Sequence, residues 1–253
     1  MHTKIQSHFL ISFLFYSLIL SVLSMNNSYS SEHTFSVDSY LEMPRGLNKV
    51  SQNSKYSETL VFIVGINENG SSWVEALEEL KKRKQYNIYI YKWDKKQNND
   101  SISRDIALRL NMIQEIHNEA DIKVIAHSAG GVLLLDSLAY DSSYKDISSS
   151  ISFYTVASPL GGYDYFIPGF MGLFIGPVNL RLGRRIEFKD LKESVNLTIM
   201  RTSFVHDVAM KNIDDYDMRY PSFKSDIIFS EVHLDFSSHN GAIIDAIKYL
   251  KLF

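Results

Sequence analysis

No cysteine occurs in the 253 residues, so no disulfide cross-links the chain and no thiol is present for lipid attachment. The fold must rest on its core alone. Signatures of bound groups are missing too: there is no H-E-x-x-H, no C-x-x-C, no phosphate-cradling Gly-Lys-Ser/Thr loop and no dinucleotide fingerprint. Asp214, Asp215 and Asp217 lack the spacing of a calcium loop. No metal and no cofactor is expected. Charge of one sign is also lacking, with 26 Lys and Arg against 29 Asp and Glu and a net charge of −3. That balance offers no broad basic surface, so nucleic acid is not an expected partner.

The one long apolar run, Phe9 to Leu23, falls short of the ~20 residues of a spanning helix. Lys4 precedes it and a Ser/Asn-rich stretch follows. Basic, then apolar, then small and polar is the order of a secretory signal peptide, here residues 1–24. The expected location is secreted or periplasmic, with an uncleaved membrane anchor as the alternative. Residues 25–57, rich in Ser, Asn and charge, read as a spacer with an irregular lead-in around the turn Met43-Pro44-Arg45-Gly46.

With 45% hydrophobic residues the remainder is long enough for one sizeable core, and 58–253 reads as one domain. Leu60 to Ile66 is a continuous apolar, β-branched run, as expected of a central parallel strand. A helix follows: Ser72 with Glu75 forms a capping-box signature, Val74, Leu77 and Leu80 make its apolar stripe, and Glu78 is spaced to pair with Lys82. Asn87 to Trp93 reads as a strand, and Ile102, Ile106, Leu110, Ile113 and Ile116 recur at helical spacing. Further strands are expected at 121–127, 151–157, 195–200 and from Ile227, and a closing helix over 242–252. Strands alternating with helices argue for a parallel sheet covered on both faces, with about six core strands.

Within this pattern Val124-Ile125-Ala126-His127-Ser128-Ala129-Gly130-Gly131 reads as a buried strand that turns abruptly into a helix with a hydroxyl at the corner. A nucleophilic serine needs its Oγ clear of the backbone and the next N–H aimed at the same point, to hold a developing oxyanion. A sharp strand-to-helix turn supplies both if the residues two before and two after the serine are small. Ala126 and Gly130 meet that demand. The octapeptide resembles the nucleophile elbow of the α/β-hydrolase superfamily, most of all that of small lipases and esterases, with A-x-S-x-G in place of G-x-S-x-G. The resemblance spans residues 58–252 and implies an α/β-hydrolase fold of minimal form: a doubly wound, mostly parallel sheet with helices on both faces, lacking the first antiparallel pair.

It also implies a triad in the order Ser, Asp, His, each member just past a strand end. Asp207 follows the strand ending near Thr202, and His239 follows the last strand and precedes the terminal helix. In that reading His239 takes the Ser128 proton and Asp207 holds the imidazole tautomer. His127, His206 and His233 are the competing histidines, each read as structural. Asp214, Asp215 and Asp217 are the competing acids. The oxyanion donors would be the N–H of Ala129 and, because Val64-Gly65-Ile66 resembles the His-Gly-x of small lipases, that of Ile66. Val64 stands where the usual histidine orders the loop.

Ala157-Ser158-Pro159-Leu160-Gly161-Gly162 resembles the Thr-Pro-x-x-Gly stretch of many lipases and opens an insertion over 159–192. Its aromatic and aliphatic residues, broken by Gly and Pro, include Phe166, Phe170, Met171, Leu173 and Phe174, read as a lid or acyl-binding wall. A loop folded over the core is the alternative. Arg181, Arg184 and Arg185 follow, facing an anionic head group or solvent. The expected partner is a small-molecule or lipid ester, with transient contact at a membrane surface; a lipase or esterase is the leading expectation. An acyltransferase or thioesterase on the same triad, or a non-catalytic lipid- or surface-binding module, are the alternatives.

Overall fold

Among the described residues, six strands run parallel and one runs against them. The computed structural model describes residues 35–51, 58–66, 70–83, 85–94, 96–117, 121–140, 151–158, 195–202, 227–234, 238 and 241–253. Its strands are β1 (Gly46–Ser51), β2 (Glu58–Ile63), β3 (Asn87–Lys92), β4 (Asp121–His127), β5 (Ile151–Val156), β6 (Val195–Thr202) and β7 (Ile227–Leu234). They form one sheet in the order β1-β3-β2-β4-β5-β6-β7. Only β1 is antiparallel, pairing with β3 at the sheet edge.

The helices are α1 (Val37–Glu42), α2 (Ser71–Arg83), α3 (Asn99–Ile116), α4 (Ala129–Tyr140) and α5 (Ala242–Tyr249). Strand side chains alternate between faces, and both faces are covered. On one, Val61, Ile63, Val124 and Ala126 pack with Ile106, Leu110 and Ile113 of α3 and Val132 and Leu135 of α4. On the other, Trp73 of α2 meets the Phe62 ring edge-on at 5.5 Å, and α5 packs beside α2. Burying each large apolar side chain contributes roughly 1.5–3 kcal/mol, so the two layers together carry most of the folding force.

Polar contacts tie the layers in register. Tyr91 Oη donates to Asp105 at 2.7 Å, Arg109 reaches the same carboxylate at 3.2 Å, and Tyr89 Oη lies 2.9 Å from His117 Nε2 at the end of α3. At the amino ends of β2 and β4, Glu58 and Lys123 form an ion pair.

Three expectations need correcting. The lead-in is not irregular throughout: residues 35–51 hold α1, capped by Ser36, and the edge strand β1, so the sheet has seven described strands rather than about six. α2 begins at Ser71, one residue ahead of the proposed cap at Ser72, directly after Gly70 at φ 86°. Glu78 accepts the Phe35 backbone N–H, and Lys82 pairs with Glu79 at 3.5 Å instead. A buried backbone donor outcompeted an exposed ion pair worth a few tenths of a kcal/mol. The expected signal peptide, residues 1–24, lies outside the described residues.

Candidate active site

β2 and β4 are neighbours, yet β2 hands on to α2 on one face and β4 to α4 on the other. Where consecutive connections leave on opposite faces, a crevice opens at the carboxyl ends of the strands. Ile63 pairs with Ala126 there, so the loop Val64-Gly65-Ile66 and the turn at Ser128 flank that crevice.

Ser128 forms the whole corner between β4 and α4, with φ 52° and 9% of its surface exposed. An L-residue in the left-handed region costs about 1–2 kcal/mol, so the surrounding contacts must hold it. They do so on both sides. The Ser128 N–H extends the ladder to Val156 O at 2.9 Å, and its own carbonyl accepts the Gly131 N–H at 3.0 Å, tightening the first turn of α4.

The next residues show why the turn requires glycine. A Cβ on Gly130 would stand 2.5 Å from Val64 O and 2.7 Å from Ile63 O, both backbone atoms of the neighbouring strand end. On Gly131 it would meet Ser158 Cβ at 2.7 Å and Thr155 Cβ at 3.2 Å at the end of β5. α4 therefore starts wedged between two strands. Ala129, its first residue, directly follows Ser128 and carries the first of the N–H groups for which a helix offers no internal acceptor.

His127 is 1% exposed and lies edge-on to Trp73, with ring centroids 6.3 Å apart, on the α2 face. His233 lies within β7, paired with Arg201 of β6. Asp207 and His239 lie outside the described residues, as do His206, Asp214, Asp215 and Asp217, and Phe166, Phe170, Met171, Leu173 and Phe174 of the insertion. The described residues thus bring together Ser128, Ala129 and the loop bearing Ile66. The strand register places the remaining chain relative to them. His127 pairs with Val156, Val156 with Met200 and Met200 with Val232, so Arg201 and His233 stand level with Ser128 along the sheet.

The loop after β2 has supports that the sequence did not announce. Trp93 Nε1 donates to Val64 O at 2.7 Å, and the Val64 N–H reaches Tyr91 O at 3.3 Å. At the loop's far end, a Cβ on Gly70 would collide with the ring of buried Tyr40. Lys92 Nζ holds the end of α1 through the carbonyls of Tyr40 (2.5 Å), Met43 (3.1 Å) and Leu41 (3.3 Å), and lies 4.5 Å from the Tyr40 ring centroid. Asp94 pairs with Arg45. No periodicity marks these residues, because each acts through one atom at a strand end.

No protein-family model matches the sequence, and no curated relative does. Solved structures do match in fold. A Bacillus licheniformis lipase, BlEst2, crystallised in its mature form, superposes with a TM-score of 0.55 at 14% identity, covering 83% of this chain and 97% of the lipase. Est1E from Butyrivibrio proteoclasticus gives a TM-score of 0.52 at 13% identity, covering 81% of this chain and 91% of that protein. With that likeness, and with a doubly wound sheet whose single antiparallel strand sits at one edge, the chain has the α/β-hydrolase fold.

Proposed function

We propose that this protein is a serine hydrolase that cleaves carboxylic esters through an acyl-enzyme on Ser128. The observation that carries the reading is the strained corner itself: a serine at φ 52°, at the crevice between β2 and β4, beside the first N–H of α4. Left-handed strain at a non-glycine residue persists where the surroundings over-determine it, and such positions cluster at reactive sites.

In this reading His239 Nε2 takes the Ser128 proton as Oγ attacks the ester carbonyl, and the N–H groups of Ala129 and Ile66 hold the oxyanion. The imidazolium then returns the proton to the departing alkoxide. Water, deprotonated by the same imidazole, attacks the acyl-enzyme; the bond to Ser128 Oγ breaks, Oγ takes the proton back from the imidazolium, and the acid is released. Asp207 holds the imidazole tautomer. In sequence both partners follow by six residues a position level with Ser128, Asp207 after Arg201 of β6 and His239 after His233 of β7. β7 lies three strand spacings from β4, about 14 Å. Five extended residues from Leu234 to His239 span up to about 17 Å, so the chain is long enough to bring the imidazole back. Asp214, Asp215 and Asp217 are the alternative acids.

The apolar residues Phe166, Phe170, Met171, Leu173 and Phe174 would receive the acyl chain and touch a lipid surface, which suits a lipase or esterase exported by residues 1–24. The Bacillus licheniformis neighbour is described as a lipase.

The test is active-site labelling. A fluorophosphonate probe should attach to the full chain and lose its site in Ser128→Ala, and p-nitrophenyl esters of graded length should be hydrolysed. Labelling that persists in Ser128→Ala removes the reading. Deleting residues 166–177 should reduce long-chain hydrolysis more than short-chain hydrolysis; equal losses would remove the acyl-binding role.

A further inference from the structure

The loop Val64-Gly65-Ile66 carries the second oxyanion donor of the proposed reaction, and its first residue is a valine, whose side chain has no polar group with which to order the loop. Something else must fix it. A backbone N–H serves an oxyanion only if its peptide plane is held to within a few tenths of an ångström before the charge develops.

Three consecutive residues leaving β3 meet that demand. Trp93 fixes the loop's entrance: its indole N–H holds the Val64 carbonyl at 2.7 Å, the same oxygen that lies against Gly130. Fixing that carbonyl fixes the plane of the Val64–Gly65 peptide, which immediately precedes the peptide carrying the Ile66 N–H. Lys92 acts further along, at Gly70, four residues past Ile66. Its ammonium satisfies three carbonyls at the end of α1 and stacks on Tyr40, whose ring presses on Gly70. A cation at a helix carboxyl end is favourable by charge as well as by hydrogen bonding. Asp94, pairing with Arg45, anchors the turn between α1 and β1 to the same strand end.

We propose that Trp93 and Lys92 are positioning residues for the oxyanion loop, Trp93 through the Val64 carbonyl and Lys92 through α1, Tyr40 and Gly70, so that the lead-in helix is part of the catalytic apparatus. The inference rests on the serine hydrolase reading above and assigns a function to a segment whose sequence reads as a spacer.

The experiment compares Trp93→Phe, which removes one N–H and keeps the ring bulk, with Lys92→Met, which removes the charge and keeps the stem. Both are measured for kcat and KM on a short p-nitrophenyl ester, for Ki of a trifluoromethyl ketone that forms a tetrahedral adduct, and for thermal unfolding. Trp93→Phe should lower kcat about tenfold to a hundredfold with KM within about twofold, and Ki should rise by the same factor as kcat falls. Lys92→Met should move both quantities the same way by a smaller factor. A purely structural role would lower the unfolding temperature and leave kcat and Ki of the folded protein unchanged, which overturns the proposal. Should Trp93→Phe fail to fold, Lys92→Met decides on the same readouts. A wild-type chain that neither hydrolyses esters nor takes the fluorophosphonate overturns the functional reading and this inference with it; an active wild type with unaltered variants overturns the inference alone.

Discussion

The turns that end β4 and β5 sit side by side, His127 against Val156, and each holds a non-glycine residue in the left-handed region: Ser128 at φ 52° and Ala157 at φ 46°. Each also extends the ladder to the next strand, Ser128 N–H to Val156 O at 2.9 Å and Ala157 N–H to Met200 O at 3.1 Å. The backbones are near copies. What differs is what the corner carries: Ala157 is fully buried with a methyl, whereas Ser128 keeps 9% of its surface exposed, bears a hydroxyl and is followed at once by a helix. Strain alone therefore does not mark a reactive position. In the proposed function it is strain, a hydroxyl and a helix amino end together that single out Ser128.

The comparison can be broken most directly by activity. Ser128→Ala should reduce ester hydrolysis by at least about 10³-fold with little change in stability, measured as kcat and as the midpoint of urea unfolding. Ala157→Gly should leave kcat within about twofold; a loss comparable to that of Ser128→Ala would mean both turns take part in the chemistry. Next comes packing. Gly130→Ala drives a methyl into two backbone carbonyls and should destabilise by about 1–3 kcal/mol while also depressing kcat. Gly131→Ala meets the Ser158 and Thr155 side chains rather than strand backbone, and should destabilise by less, about 1 kcal/mol. Denaturant titration of both variants ranks them, and a reversed order would put the tighter wedge at β5.

Glycine at each corner sharpens the comparison further. Ser128→Gly should be inactive and at least as stable as the parent, since it relieves about 1 kcal/mol of strain while losing a partly exposed group. Ala157→Gly trades the same relief for a buried methyl and should fall within about 1 kcal/mol of the parent.

The smallest effect lies away from both turns. Burial, then the nearby Lys49 charge, lower the His117 pKa below its ordinary 6.5, so the fold favours the neutral ring. The unfolded chain then binds more protons: the stability contribution is complete above pH 6.5 and is lost as pH falls through that value toward the folded pKa. His117→Asn should flatten the acid limb of a stability-versus-pH curve without altering kcat.

Much of the sheet was legible because its central strands are buried on both faces. Leu60 to Ile63 and Val124 to Ala126 are apolar runs that no exposed strand would tolerate, and the isoleucines of α3 repeat at helical spacing over a long helix. The corner at Ser128 was legible because its small neighbours obey a steric rule. β1 was not: Gly-Leu-Asn-Lys-Val-Ser has only Leu47 and Val50 to bury, as suits an edge strand, and reads as polar loop. α1, six residues long, is too short for a periodic signal. Trp93 and Lys92 were invisible as supports, because their partners are backbone carbonyls distant in sequence. Glu78 was assigned the wrong partner because the group it accepts from is the backbone N–H of Phe35, 43 residues away.

Because β2 through β7 all end at one edge of the sheet, the residues of the proposed site are drawn from connections, while the strands beneath supply only a platform. Residues 157–194, between β5 and β6, form the longest such connection. The entropy of closing a connection between two strands grows only with the logarithm of its length, so doubling the number of residues between β5 and β6 would weaken the fold by about 0.6 kcal/mol. A protein with this layout can acquire a new appetite through changes in one peripheral stretch, leaving its interior as it was.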